Sequence, residues 1–402
     1  MQNFIFISPN FPELYYKFVK SLKNVGFRVL GIGDAPYDEL PPSLKEDLSE
    51  YYCVYGNMED VERVAEAVRY FENKYGHIDY LESNNEYWLE HDAILRERFN
   101  ISTGLYPRDM VHIKLKSKMK ECFLKAGAKV SKYQLVTTYE HAKEFVDEVN
   151  YPVFVKPDNG VGANLSFKIN NDEELKDFID KYAHETQFIM EQFIDGELIS
   201  FDGICDEEGR VLLCFNEHFP VPVAIVVDED LDDYYYATLN MPNEFRQLGE
   251  RVVKAFNIKK RCFHIEFFRL KEDDPKLGKK GDVFGLECNM RPPGGDTPDL
   301  LSIAMDDSFY DAYASVMMFD KLDRPIKEKT YLSVSVARKD RFHYVHTHEE
   351  ILNKYKERIV EYGRYKKSIA LAMGDAYYFA KFEDDEVDKA LEFAHFVQFK
   401  SL

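Results

Sequence analysis

The sequence predicts a multidomain protein of mixed class, α/β at its start and α+β beyond. Three observations carry this. Over roughly the first quarter, short apolar runs alternate with amphipathic stretches, the sign of βαβ units and a parallel sheet. From about residue 113 the texture changes to strand, glycine loop, strand, followed by longer strand-like runs. A chain of 402 residues that is 45% hydrophobic has material for roughly two to three domains with their own cores.

Residues 3–8 are nearly all apolar and end at Ser8-Pro9-Asn10, followed by an amphipathic stretch to about Val25. Residues 28–33 form a second short strand. Met58, Val61, Val64, Ala65, Val68 and Phe71 recur at helical spacing. A strand at 78–82 and a helix over 88–98 follow. Right-handed βαβ connections give a parallel sheet, which binds ligands at the carboxyl ends of its strands. Here those ends are Ser8-Pro9-Asn10, Gly33-Asp34 and Ser83-Asn84-Asn85-Glu86. No G-x-G-x-x-G follows the first strand, so the dinucleotide fingerprint is absent. Residues 1–112 therefore read as a substrate-side α/β domain.

Between 113 and 330, Met119, Cys122, Phe123 and Ala126 mark a short helix, and Tyr151 to Lys156 a strand that opens onto Asp158-Asn159-Gly160-Val161-Gly162-Ala163-Asn164. Backbone N–H groups in a glycine-bearing loop can approach phosphates closely. A helix at 172–182 precedes the strand Gln187-Phe188-Ile189-Met190-Glu191. Residues 331–402 read as a small α+β appendage, with strands at 331–337, 367–371 and 376–382, a helix at 348–358 and a final helix.

Composition excludes some classes of partner. A formal charge of −20 opposes nucleic acid or anionic membrane as the main partner, because both need clustered Lys and Arg. The six cysteines lack any C-x-x-C and read as reduced thiols, which fits a cytoplasmic protein. The N-terminus has no basic region of a signal peptide, and no run reaches the ~18 apolar residues of a membrane span.

Two strand-like runs carry carboxylates where an apolar core would exclude them: Phe263-His264-Ile265-Glu266-Phe267-Phe268 and Val283-Phe284-Gly285-Leu286-Glu287-Cys288-Asn289. Side chains alternate faces, so Glu287 and Asn289 share one face, and Glu266 joins them if the runs pair. Two carboxylates and an amide oxygen suit a hard cation such as Mg²⁺ shared with phosphates. Arg291, two residues on, adds a fixed cationic fork. A wet face on an antiparallel sheet is the alternative reading. His264 reads as an inward polar neighbour, and Glu217-His218 as either loop residues or a substrate contact.

The ordered set Lys118, Lys156, Gly160–Gly162, Glu191, Glu266, Glu287, Asn289 and Arg291 resembles the ATP-grasp superfamily over about 113–320. The tail Met290-Arg291-Pro292-Pro293-Gly294-Gly295 is similar to its carboxylate–amine branch, which includes L-amino-acid ligases. The resemblance implies an N-terminal pre-ATP-grasp domain, and an ATP-grasp domain over 113–330 with two α+β subdomains, a flap (113–190) and a metal and catalytic part (191–330). It implies ATP and Mg²⁺, with Mn²⁺ as a substitute. Lys118 and Lys156 would neutralise phosphates beneath the loop with Gly160, Gly162 and Asn164. Met190, Glu191, Phe193 and Ile194 would receive adenine, and Glu197 the ribose, one place before the usual position, here Leu198. Glu266, Glu287 and Asn289 would hold metal, with Arg291 and Lys156 catalytic. The implied reaction joins a carboxylate to an amine, amino acids among them, through an acyl phosphate with release of ADP and phosphate; a homodimer is also implied. Carboxylation, carbamoyl-phosphate formation, AMP-releasing nucleotidyl transfer and non-catalytic ATP binding stand as alternatives.

Overall fold

The computed structural model describes residues 1–160, 165–221, 226, 230–365 and 373–400. The first elements are β1 (Asn3–Ile7), α1 (Tyr16–Asn24), β2 (Arg28–Gly33), α2 (Pro42–Asp47), β3 (Glu50–Cys53), α3 (Val61–Tyr75), β4 (Tyr80–Glu82) and α4 (Leu89–Arg98). The strands form a parallel sheet in the order β3-β2-β1-β4. β1 is buried throughout because both of its faces are covered. Phe4 and Phe6 pack with Phe18 of α1, while Ile5 and Ile7 pack with Val64, Val68 and Phe71 of α3. A strand sandwiched in this way is apolar at every position, which is why no alternation is visible in its sequence.

Next come α5 (Met110–Lys114), α6 (Lys116–Lys125), β5 (Tyr133–Leu135), α7 (Tyr139–Val149), β6 (Val153–Pro157), β7 (Phe167–Ile169), α8 (Asp172–Lys181) and β8 (Phe188–Gln192). Their strands form a small antiparallel sheet ordered β5-β8-β6-β7. Val153, Val155, Phe188 and Met190 face α7 and α8 through Phe145, Val146, Leu175 and Phe178. Strand alternation then turns Phe154, Lys156, Ile189 and Glu191 to the opposite face. Helices α5 and α6 do not join this core: Ile113, Met119, Cys122 and Phe123 pack instead with residues of the long sheet described next.

The remaining elements are β9 (Gly196–Cys205), β10 (Val211–Phe219), β11 (Tyr234–Thr238), α9 (Asn243–Ala255), β12 (Arg261–Leu270), β13 (Val283–Asn289), α10 (Thr297–Met305), α11 (Phe309–Phe319), β14 (Leu332–Arg338), α12 (His348–Tyr355), β15 (Ile359–Arg364), β16 (Ala376–Phe382) and α13 (Val387–Gln398). Among the described residues they build one antiparallel sheet, β13-β12-β9-β10-β11-β14-β16-β15. The strands expected of a C-terminal appendage thus extend this sheet, β14 pairing with β11. The helix expected over 348–358 ends at Tyr355, and a strand not expected from the sequence follows at 359–364; the strand expected at 367–371 lies outside the described residues. No described helix is long and apolar enough to cross a membrane.

One face of the long sheet packs on α6 and α9 through Ile199, Phe201, Phe263, Ile265 and Phe267. The other receives α10 and α11 together with Phe4 and Phe6 of β1 and Phe18 of α1. The ring of Phe18 lies edge-on to Tyr310 at 4.7 Å, so α11 seats directly on α1.

Close approach of α6 to β13 depends on Gly285, where a Cβ would lie 2.3 Å from the Phe123 ring. Gly285→Ala should therefore lower unfolding free energy by about 1–3 kcal/mol through overpacking, measured by urea denaturation.

Candidate active site

The register of three strands builds the acidic floor. In β12–β13, Glu266 stands opposite Glu287 and His264 opposite Asn289. In β12–β9, Glu266 pairs with Ser200 and His264 with Asp202, and Ser200 in turn faces Glu217 of β10. An irregularity in the β12–β13 ladder just after this pair leaves Leu286 unmatched, and beyond it Glu287 and Asn289 still face Glu266 and His264. Two carboxylates directly opposite one another are unfavourable unless a cation lies between them. With the Asn289 carbonyl oxygen they make the hard donor set that Mg²⁺ takes. The set fits that ion.

The cationic wall comes from the small sheet and α6. Lys156 Nζ is 2.9 Å from Glu191 Oε2, and Lys120 pairs with the other oxygen of the same carboxylate. Lys116 Nζ lies 4.0 Å from Glu287 Oε1 and donates to the Gly160 carbonyl at 3.0 Å. The start of α6 is fixed to the end of β6: Ser117 N and Oγ donate to the two Asp158 oxygens at 2.7 and 2.8 Å. The flap root and the lysine helix are thus joined.

Several expected residues sit elsewhere. Lys118 points to solvent and pairs with Glu121 at 2.6 Å; Lys116 and Lys120 occupy the place expected for it. The reason is periodicity, since residues four apart share a helix face and residue 118 falls on the other. Glu191 turns its carboxylate onto two lysines rather than toward an adenine edge. Met190 is packed in the small-sheet core. Phe193 lies under Lys168, whose Nζ is 4.4 Å from the ring centroid, and Ile194 packs with Leu270 and Phe284. Glu197 pairs with Arg269 at 2.6 Å and His218 Nδ1 at 3.0 Å. Alternation along β9 places it on the face opposite Ser200, away from Glu266. Gly162 and Asn164 lie outside the described residues.

Residues beyond the expected set also enter. The carboxyl ends of β1 and β4 carry non-glycine residues in left-handed backbone, Ser8 at φ 52° and Asn84 at φ 52°, a strained conformation that gathers at functional sites. Tyr15 Oη donates to the Asn84 carbonyl at 2.5 Å. Lys114 pairs with Glu86 at 3.0 Å. Glu82, buried, forms an ion pair with Arg96 at 2.8 Å and accepts from Arg261 at 2.6 Å, and Arg261 also donates to the Met290 carbonyl at 3.3 Å, one residue before Arg291. The sequence signal for this network was Glu82 inside an apolar strand.

Charge balance follows from this packing. Burial pushes the Glu191 carboxyl up, but Lys120 and Lys156 override it and hold the pKa down at about 2. Burial lowers Lys156, and Glu191 with Glu287 lifts it above its ordinary value. Burial depresses Lys116 and Lys120. Burial raises Glu287 against Lys116, with Glu266 adding to the rise. Glu266 goes the other way: burial is outweighed by the His264 hydrogen bond and charge.

Glu191→Gln leaves two buried ammonium groups without their counterion and should cost about 3–5 kcal/mol at pH 7 in urea unfolding. Because the folded pKa is about 2 and the reference value 4.5, this stabilisation is full above about pH 4.5 and fades as pH falls toward 2. The gap between wild type and variant should narrow over that interval.

Residues 149–295 match the family model described as an ATP-grasp domain. The arginine-specific large chain of mitochondrial carbamoyl phosphate synthase from Neurospora crassa is 28% identical over 201 residues, 47% of this chain and 16% of that protein. The chain thus spans about one sixth of that relative's length. In fold it is similar to an L-amino acid ligase from Bacillus licheniformis, with TM-score 0.72 and 15% identity over 98% of this chain and 97% of the other. It is also similar to the biotin carboxylase domain of the Hydrogenobacter thermophilus 2-oxoglutarate carboxylase, solved as a dimer with MgADP, ADP and bicarbonate, with TM-score 0.70 and 16% identity over 97% and 89% of the two chains. Residues 149–295 thus match an ATP-grasp domain, and the chain as a whole shares the fold of the ligase and of the carboxylase domain.

Proposed function

We propose that the protein is an ATP-dependent carboxylate–amine ligase, with amino acids as the substrate class, working through an acyl phosphate and releasing ADP and phosphate. The observation that carries this reading is the meeting of Lys116 with Glu287 at 4.0 Å beside the Lys156–Glu191 pair. It puts buried ammonium groups against a metal-type carboxylate set at one crevice. Phosphoryl transfer asks for positioning and charge stabilisation rather than a protein nucleophile. The residues gathered here supply both.

In this reading Lys116 and Lys156 bind the phosphates, and Glu191 keeps Lys156 charged and oriented. Glu266, Glu287 and Asn289 hold Mg²⁺, or Mn²⁺ in its place. When bound there the ion supplies neutralisation of charge on the phosphoryl oxygens. Arg291 faces the phosphoryl group as the substrate carboxylate attacks it. The amine then attacks the acyl carbon and phosphate leaves. An acyl phosphate must be kept from water, so the site has to be closed while it exists. The strained ends of β1 and β4, with Glu86 and Asn84, stand on the substrate side. All six cysteines are free, which supports a cytoplasmic setting. A homodimer, the state in which the carboxylase domain was solved, is the assembly proposed.

A second reading has specific support: the carbamoyl phosphate synthase relative and the carboxylase fold neighbour point to bicarbonate-type chemistry on the same nucleotide residues. Mg-ATP with amino-acid pools, against Mg-ATP with bicarbonate, separates the two. ADP and phosphate release that depends on amino acids supports ligation; release driven by bicarbonate alone supports the second. AMP and pyrophosphate would overturn both. Lys116→Ala and Glu287→Ala should each lower kcat at least about 100-fold, while Lys118→Ala should leave it within about twofold, measured by coupled ADP release.

A further inference from the structure

Behind the acidic floor, Asp202 of β9, Glu217 of β10 and His264 of β12 form a second group. Their side chains come from three adjacent strands, and one ligand atom from each lies within 4.8 Å of the other two. Glu217 is the anomaly. Its residue exposure is 0%, and both carboxylate oxygens are buried without a hydrogen-bond partner. Removing a carboxylate from water without compensation costs several kcal/mol, and the polar contacts around it are made by others. Ser200 donates to Asp202. His264 Nδ1 is 2.5 Å from Asp202 Oδ1, and its Nε2 is 3.3 Å from Glu266 Oε1. Arg291 donates to the Pro292 carbonyl at 2.8 Å. Asn216, beside Glu217 in the chain, spends its amide on the Ser200 and Glu217 carbonyls. No described side chain offers Glu217 a donor.

We propose that Asp202, Glu217 and His264 form a binding site for a divalent transition metal of the zinc type, distinct from the Glu266, Glu287 and Asn289 set. One imidazole nitrogen with two carboxylates is a donor set that Zn²⁺ accepts and that Mg²⁺, which favours oxygen and water, does not select. Bonds of 2.0–2.2 Å place ligand atoms about 3–3.5 Å apart, so the Asp202–His264 hydrogen bond would open, and any pair still farther apart would close, by side-chain rotation. The neighbours are already arranged as supports. Ser200 orients Asp202, and Glu266 receives the second ring nitrogen of His264; such outer partners fix ligand orientation. Because His264 touches Glu266, metal here would also set the position of the floor carboxylate. The site stands on geometry alone and does not depend on which reaction the protein catalyses.

The test uses the full chain, stripped with chelator and titrated with Co²⁺ as a spectroscopic probe, with no nucleotide present. Wild type should bind one Co²⁺ per chain, with visible d–d bands that Zn²⁺ abolishes. Glu287→Gln should keep that binding, and Glu217→Gln should weaken it at least about tenfold. If circular dichroism shows that Glu217→Gln is unfolded, Asp202→Asn carries the same comparison. A paramagnetically shifted imidazole signal in the wild-type proton spectrum gives a readout that needs no variant. Wild type that binds no Co²⁺ overturns the proposal. So does binding lost equally in Glu287→Gln, which would assign the ion to the other acids. An amino acid that raises the melting temperature of metal-free wild type but not of Glu217→Gln would also overturn it, since the pocket would then hold an ammonium group. Amino-acid-dependent ADP release is a separate measurement, so either idea can fail alone.

Discussion

Carboxylates taken out of water must find positive charge, and here they find it across strands and between sheets rather than along the chain. Glu191 draws two lysines from different elements, Lys120 from α6 and Lys156 from β6. Glu82 draws two arginines, Arg96 from α4 and Arg261 from β12. Breaking one partner of a buried pair is far more costly than the pair's net contribution, so each constrains where its parent sheet can sit. The crevice exists because these contacts hold the small sheet, the parallel sheet and the long sheet against one another.

Arg261 links two of those sheets in a specific way. Its guanidinium reaches Glu82 at the end of β4 and the Met290 carbonyl just before Arg291. The backbone that presents Arg291 is therefore anchored to the N-terminal sheet as well as to β13. Tyr15, whose hydroxyl donates to Asn84, ties the same strand end to the start of α1, and Tyr313, which reaches the Asn84 side chain at 3.5 Å, ties it to α11. Strained backbone at Ser8 and Asn84 is held from several sides, the condition under which strain persists.

Much of the acidic floor was legible in the residues themselves. Glu266, Glu287 and Asn289 needed only alternation and one hairpin pairing, and Lys156 betrayed itself by sitting among apolar neighbours. Lys118 misled because lysines stand at 114, 116, 118 and 120, and nothing in that run marks where α6 begins. The core pattern Met119, Cys122 and Phe123 did contain the phase that sets Lys116 and Lys120 beside the core face. The partners of Glu197, Arg269 and His218, were illegible for a related reason: they come from other strands, and one residue of offset along β9 moves a side chain to the other face. Helices α10 and α11 were hidden because both are buried on nearly every side, which erases amphipathic period. The joining of β11 to β14 was illegible because their pairing is non-local, and neither strand's sequence names its partner.

That last pairing changes what the C-terminal segment is. Tyr234 to Ala237 bond along their length to Ser333 to Val336, and Phe379 of β16 is buried in the same core as Phe4 and Phe18. A tail that merely docked could be trimmed or exchanged like a tool on a handle. Strands woven into the sheet cannot, since cutting them away would bare the unpaired amide edge of β11, next door to the β10 strand that carries Glu217. Chimeras and shortened versions of this protein therefore have to be cut outside the weave, with β14, β15 and β16 kept together with the strands they adjoin.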